Sequence, residues 1–407
     1  MWTVEDALTR ILSQAERLSV ERIALLDAPG RSLAEDIVSD MRIPPFDNSA
    51  VDGYAVRAED TAGAGEKTPV LLRTLTDISA GVLPTEAVEP GTAARIMTGA
   101  PVPPGANAIV MVEDTRNPKP GTVAILEAAK AGQHVRRAGE DAHAGDLVLQ
   151  AGTRIRSAEV ALLAAMGRAQ VAVFRPPNVA VISTGDEIVD IEQGVLPPPG
   201  KIRDSNRYAL AALAREAGAA LHSITHIPDD FDATEAAFRE CADAETGADV
   251  IVTAGGVSVG DRDFVKPVLE KLGQLDLWKI AMKPGKPLAF GSIGRTLFFG
   301  LPGNPVSAMV TFELFVRPAL WKMMGRAPLE RYSVQATVLE NIPHTPGRRE
   351  YVRAVTTTQN GQFVTRSSGA QGSHMLSSMA QANSLLIIPQ DSPGLNAGEM
   401  ATVLLLE

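Results

Sequence analysis

Apolar residues in the second half of this chain come in short runs, each closed by glycine or by a cluster of polar residues. The run that organises the rest lies within Asp249 to Asp263. Val250-Ile251-Val252 is too short for a free helix and is rich in β-branched side chains, as expected of a buried strand in a parallel sheet. It leads straight into Gly255-Gly256 and then Gly260. Glycine permits φ > 0 and lets a ligand reach bare backbone. The loop's N–H groups can face an anion, and the next helical pattern begins at Asp263. Three glycines with Asp261 and Asp263 beside them exceed what a plain strand-to-helix turn needs. A tight turn in an α/β domain is the other reading of the same residues.

Elsewhere the pattern changes twice. Thr3 to Leu18 has the period of an amphipathic helix, capped by Thr3 with Asp6 three residues on, and with Ala7, Ile11 and Ala15 on one face. From Ile23 to Met111 short apolar runs are interrupted by Pro44-Pro45, Gly53, Gly81, Pro90-Gly91 and Pro103-Pro104-Gly105, which predicts a β-rich module. Ser157 to Gly167 returns to helix, so the module is inserted between two helical segments expected to pack together. An α/β series follows: strands over Val179–Ser183, Leu221–His226, Val250–Thr253, Pro287–Phe290 and Thr296–Phe299. Helices fall between them, one from Ser205 or Asn206 to Ala217, one capped by Asp232 with Glu235 at the capping-box position, and one over Phe264–Leu272. Asn304 and Pro305 start another, running Val306 to Leu320. This alternation predicts a parallel sheet covered on both faces. From Tyr332 to Glu407 the pattern is β again, with Asn360-Gly361 as a hairpin turn.

Composition narrows the function. A chain of 407 residues with 45% apolar content has material for several packed cores. Only 4% aromatic residues and a net charge of −10 argue against nucleic acid as a partner. The lone Cys241 excludes an internal disulfide pair and a Cys-based zinc site, and its neighbours Phe238 and Ala242 suggest helix packing rather than a nucleophile. No stretch reaches the roughly 18 apolar residues of a membrane span. The N-terminal Met-Trp-Thr-Val-Glu-Asp carries acid where a signal peptide needs base, so a cytoplasmic protein without membrane contact is expected.

Ligands of such sheets bind beyond the carboxyl ends of the strands, where this chain has unusual polar residues. They are Ser183-Thr184-Gly185-Asp186-Glu187, Asp229-Asp230, the glycine loop with Asp261 and Asp263, and Gly300-Leu301-Pro302-Gly303-Asn304. Between Trp278 and Pro287 lie Lys279, Lys283 and Lys286, with prolines fixing the backbone; a basic surface loop is the plainer alternative. A carboxylate about 5 Å from a phosphate charge costs about 3 kcal/mol at an effective dielectric of about 20. A helix N-terminus returns only about 0.3–1 kcal/mol, at best about 2. Acids beside an anion site therefore need lysines or a divalent cation, and oxygen ligands without His or Cys clusters point to Mg²⁺ rather than zinc. His222 and His226 fall on a strand, too far apart for a helical metal pair, and are read as structural.

Seven motifs occur in one order: Asp47-Asn48-Ser49-Ala50-Val51-Asp52-Gly53-Tyr54-Ala55, Met97-Thr98-Gly99-Ala100, Gly139-Glu140-Asp141, Ser183–Glu187, Gly255–Gly260, Lys283-Pro284-Gly285-Lys286-Pro287 and Leu301–Pro305. Each alone is modest, but the ordered set is specific. Through it nearly the whole chain resembles the molybdopterin molybdenumtransferases, a family that includes the C-terminal domain of gephyrin. Val51 departs from an expected Met, and Asp261 from a frequent Glu.

The resemblance implies a multidomain α/β plus β fold. Residues 1–43 and 142–175 would form a discontinuous helical and β domain for linkage and dimerisation, and 44–141 an inserted β-rich domain. Residues 176–326 would form a molybdopterin-binding, parallel-sheet α/β domain, and 327–407 a C-terminal β-barrel. It also implies the activity: molybdate is inserted into adenylylated molybdopterin with release of AMP, assisted by Mg²⁺, in a homodimer. Gly255, Gly256, Ser258 and Gly260 would hold the pterin or phosphate end; Glu187, Asp229 and Asp263 would bind the metal. Lys279 and Lys283 would neutralise molybdate or phosphate, with Asp52, Thr98 and Asp141 completing the site across the dimer. Pro302 and Pro305 would shape the floor, and Arg353 and Ser373 would line the cleft from the barrel. A molybdopterin adenylyltransferase and apo-molybdoenzymes are the implied protein partners. Two alternatives remain at this point: the chain is itself such an adenylyltransferase, or it is a non-catalytic scaffold like gephyrin.

Overall fold

A computed structural model of the chain describes residues 1–192, 195–256 and 263–406. The chain forms two compact units, one from Met1–Glu35, Ala151–Arg156 and Gln170–Glu407, the other from Asp36–Gln150 and Ser157–Ala169.

The first unit is built on a six-stranded sheet in the order Ala220–Ile227, Asn178–Thr184, Val250–Ala254, Thr296–Leu301, Pro287–Ile293, Gln274–Lys279. The first four strands are parallel, as the alternation of strands and helices predicts. The last two are antiparallel, and this corrects the expected all-parallel sheet. Ile293 pairs with Thr296, so only two residues, Gly294 at φ 58° and Arg295, join those strands. So short a link cannot cross over a sheet and forces a hairpin. The sixth strand, Gln274–Lys279, is not among those the sequence predicts, and only its last two residues fall in the lysine-bearing segment from Trp278 to Pro287.

The apolar strands are buried on both faces because their side chains alternate between two cores. Val179, Val181, Val250, Val252 and Phe299 enter one; Ala180, Ile182, Ile251 and Phe298 enter the other. Cys241 belongs to the second core, and burial pushes its thiol up, consistent with packing rather than nucleophilic work.

The flanking helices follow the local signals with some corrections. Thr3 caps Val4–Gln14 by accepting a 3.0 Å bond from the Asp6 N–H, and Val4, Ala7 and Ile11 enter the core of their own unit. This helix ends before Leu18 because Ala15 turns extended and the Leu18 N–H bonds to the Met323 carbonyl instead. Asp230, not Asp232, caps Phe231–Cys241 through a 2.8 Å bond from the Ala233 N–H. Glu235 is taken by Arg239 and by Lys271, at 2.8 and 2.6 Å, rather than by a capping box. Pro305 starts the next helix as expected, but Pro305–Thr311 continues through a π turn, Phe312–Val316, into Arg317–Met323. Inside that turn the buried Glu313 carboxylate accepts from Arg317 at 2.7 and 2.8 Å and from Arg331 at 2.7 Å.

At the C-terminal end, Arg349–Gln359, Gln362–Ser367, Ser333–Val338, Met400–Leu405 and Ser384–Ile388 form a ring, closed by the pairing of the first with the last. Asn360 at φ 51° and Gly361 at φ 78° make the tight turn read from the sequence. Met282–Lys283 adds to this barrel as a parallel strand, placing Lys283 opposite Glu350. The second unit has its own six-stranded sheet, Ala108–Met111, Gly53–Val56, Thr92–Ile96, Val70–Ile78, Thr122–Ile125, Thr115–Lys119, and carries the Ser157–Ala165 helix.

Replacing Glu313 with alanine leaves two guanidiniums without their shared carboxylate in the interior. The expected loss is about 3–5 kcal/mol, seen as an earlier urea midpoint. An unchanged midpoint would mean that the ion pairs do not support the π turn.

Candidate functional site

Because four neighbouring strands run parallel, their carboxyl ends meet at one edge of the sheet. Thr184 leads into Gly185-Asp186-Glu187, Ile227 into Asp229, Ala254 into Gly255-Gly256, and Leu301 into Pro302-Gly303-Asn304. Two cavities of about 740 Å³ each open there, and both touch Gly255, Gly256, Gly303 and Asn304. The site therefore has two lobes with a shared glycine wall. Gly256 has φ 73°, and a Cβ on it would stand 2.2 Å from the Val265 side chain. Only glycine permits this approach of strand to helix. Ser258, Gly260 and Asp261 lie outside the described residues.

One lobe is acidic. Glu187, Asp229 and Asp263 line it together with Pro305, as the motifs suggested. Asp186 and Asp229 exchange bonds: the Asp186 N–H donates to Asp229 Oδ2 at 3.3 Å, and the Asp229 N–H to Asp186 Oδ1 at 3.2 Å. That fixes how Asp229 faces the lobe. The buried Asp204 forms part of the floor and is already neutralised, accepting from Ser183 Oγ and pairing with Arg207 at 3.1 Å. His226 Nδ1 is 3.2 Å from the same Ser183 Oγ, which keeps it in a structural role. Among the described residues no three His, Cys, Asp or Glu side chains stand close enough to enclose one metal ion. The lobe nonetheless presents the carboxylates of Glu187, Asp229 and Asp263, with hydroxyls, the Asn206 amide, Arg203 and His374 on the same lining. That suits Mg²⁺, which keeps several waters and needs only one or two carboxylates when phosphate supplies the rest.

The other lobe is basic. Lys283, Lys286 and Arg348 line it, with Pro302, Ser307 and Ser373. Lys283 pairs with Glu350 at 2.8 Å. Lys279 is exposed at the end of its strand and lines neither lobe, so of the two lysines singled out only Lys283 is at the cavity. Lys286 takes the second place; its Lys-Pro-Gly-Lys-Pro motif was legible, but its priority over Lys279 was not.

Arg353 also departs from expectation. It is 1% exposed and does not line the lobe. Its Nη2 donates to the Ala370 and Gly372 carbonyls at 3.0 and 3.1 Å, and its Nε to Ser378 Oγ at 3.3 Å. Burial lowers its basicity. It thus holds the Gln371–Ser373 loop from behind, while Arg348 presents charge to the cavity. Arg348-Arg349 and Gln371-Gly372-Ser373-His374 stand out in the sequence as polar stretches with surface charge as the plainer reading; Arg348 and Gln371 do line the cavity, and Glu350 joins them through the barrel's long-range pairing.

In the second unit the structure brings Asp52 and Thr98 together. Asp52 Oδ1 accepts from the Thr98 N–H and from its hydroxyl, each at 2.7 Å, and these bonds hold its carboxyl below the usual range. Asp47 is treated likewise by the Ala138 N–H at 2.8 Å and by Arg137 at 2.6 Å. Asp141 is exposed, its N–H bonded to the Ile43 carbonyl at 2.9 Å.

Comparison with known proteins adds a second line of argument. Residues 2–167 match the MoeA N-terminal region (domain I and II), residues 180–322 the probable molybdopterin binding domain, and residues 335–406 the MoeA C-terminal region (domain IV). The chain is 38% identical to a molybdopterin molybdenumtransferase of Haemophilus influenzae, over 99% of this chain and 98% of the relative. It is 41% identical to molybdopterin molybdenumtransferase 2 of Mycobacterium tuberculosis, over 94% of each. The crystal structure of the molybdopterin biosynthesis moeA protein from Pyrococcus horikoshii OT3 superposes with a TM-score of 0.86 at 32% identity, covering 100% of both chains.

The buried fork of Arg353 gives a direct check. Lysine has a single ammonium and cannot reproduce a planar guanidinium reaching two carbonyls and a hydroxyl. In Arg353→Lys, hydrogen exchange over residues 369–374 should rise by about tenfold while the parallel strands stay protected. Equal exchange would show that the loop does not depend on Arg353.

Proposed function

This chain belongs to the molybdopterin molybdenumtransferase (MoeA) family, and on that premise we propose that it inserts molybdate into adenylylated molybdopterin and releases AMP. The observation that carries this reading is the pair of lobes of opposite charge sharing the Gly255-Gly256 wall. Both reactants are anions, and one of them carries a phosphoanhydride. A site for both must separate a cationic pocket for the oxyanion from a carboxylate pocket that takes a cation along with the phosphate.

The roles follow from this division. Lys283, with Lys286 and Arg348, neutralises molybdate; Lys279, which lines neither lobe, has the weaker case. Ser373 and Pro302 shape the same lobe, and Arg353 positions the loop that carries Ser373. Gly255 and Gly256 offer backbone to the pterin or phosphate end, continued by Ser258 and Gly260. Glu187, Asp229 and Asp263 would hold Mg²⁺, which when bound would offset charge on the phosphate oxygens. Pro305, at the first turn of its helix, closes the floor of the acidic lobe. The chain is proposed to work as a homodimer in the cytoplasm, with Asp52, Thr98 and Asp141 serving the reaction from a second copy. Among the described residues no helix is long and apolar enough to cross a membrane. A molybdopterin adenylyltransferase and apo-molybdoenzymes remain the proposed protein partners. The adenylyltransferase alternative leaves the MoeA regions over 2–167 and 335–406 without a purpose. The scaffold alternative leaves the charged lobes without one.

The test is molybdate-dependent AMP release. Lys283→Ala and Asp263→Ala should each lower kcat/KM by about 10²-fold. An unchanged rate for either variant removes that residue from the mechanism. Chelation with EDTA should stop the reaction and added Mg²⁺ restore it; insensitivity to EDTA would leave the acidic lobe without a metal.

A further inference from the structure

Glu350 lines the basic lobe and His344 stands against it, a buried pair that no role above employs. The side chains of His344 and Glu350 are only 1% and 7% exposed. His344 Nδ1 is 2.8 Å from the Ser392 carbonyl oxygen, and Nε2 is 2.9 Å from the Arg348 carbonyl oxygen. A carbonyl oxygen only accepts, so each ring nitrogen must bring its own hydrogen. A neutral imidazole has one such hydrogen and an imidazolium has two. The backbone around this ring therefore calls for the cation.

Glu350 explains why a cation is tolerated there. Its Oε1 pairs with Lys283 at 2.8 Å. Its Oε2 is buried, has no hydrogen-bond partner among the described residues, and stands 3.8 Å from His344 Nε2. The carboxylate thus faces Lys283 on one side and the His344 ring on the other, and the buried Arg353 guanidinium, committed to the Ala370 and Gly372 carbonyls, also acts on it at longer range. A lone carboxylate against Lys283 would cancel that lysine's charge at the wall of an oxyanion pocket. With His344 charged, that ring, Glu350 and Lys283 sum to one positive charge. The parallel register keeps Lys283 and Glu350 as neighbours across the two strands. The same imidazole grips the backbone of Arg348, whose side chain lines the lobe.

We infer that His344 is a doubly protonated positioning residue whose charge compensates Glu350 and leaves Lys283 available to the oxyanion. This rests on the reading of the basic lobe as the molybdate side. The imidazole nitrogens of the ¹⁵N-labelled wild-type protein, with His344 assigned by the signals lost in His344→Gln, should show two N–H groups on that ring. The same ring can be assigned in the wild-type protein alone by through-bond correlation of its side-chain and backbone signals, and one bare ring nitrogen there overturns the inference. With molybdate alone as the titrant, His344→Gln should bind about tenfold more weakly, while kcat at saturating molybdate changes little. Adding Glu350→Gln to that variant should restore most of the affinity, since the charge that needed compensation is gone. Affinity equal to wild type in His344→Gln, or no recovery in the double variant, sinks the compensation. Two ring N–H groups in a wild-type protein that binds no molybdate would overturn the molybdate reading of the lobe instead.

Discussion

Carboxylates and oxyanions repel, and the arrangement of this site follows from keeping them apart within one sheet edge. The separation is made by backbone rather than by distance. Gly255 and Gly256, both at positive φ, form a wall thin enough for a lobe on either side. Four parallel strands deliver the acidic residues to one lobe. The lysine motif and the barrel deliver the basic residues to the other. Charges that fall in the wrong place are neutralised locally. Asp204 is absorbed by Arg207 and Ser183, and Glu350 lies between Lys283 and His344.

Much of this was legible before any coordinates. Strand, glycine turn and helix follow from β-branched runs broken by Gly255-Gly256, and the Asn304-Pro305 pair marked a helix start correctly. Glu187, Asp229 and Asp263 could be placed in one pocket because parallel strands align their ends. The hairpin of Pro287–Ile293 with Thr296–Leu301 was missed in direction. Each strand is apolar enough to read as parallel, and only the length of the link decides.

What stayed hidden depends on long-range pairing. Lys279 and Lys283 look equivalent in sequence, yet Lys279 sits within an edge strand and Lys283 pairs with the barrel. The resemblance placed Arg353 on the cleft wall, and nothing in its local sequence shows that it is buried. Two loop carbonyls, of Ala370 and Gly372, and the Ser378 hydroxyl hold its guanidinium in the interior instead. Asp230 and Asp232 are both plausible caps by type. Only Asp230 has the extended backbone, ψ 134°, from which its carboxylate reaches the first turn.

The strand Met282–Lys283 belongs by sequence to the lysine motif and by hydrogen bonding to the barrel. A terminal barrel joined by loops alone could drift, be exchanged or be lost while the catalytic core stayed whole. Here the core donates an edge of its own to that barrel, and a lysine that lines the cavity rides on the donated edge. Sequence drift in the terminal module is therefore tied to the chemistry, and one cannot be remodelled without disturbing the other.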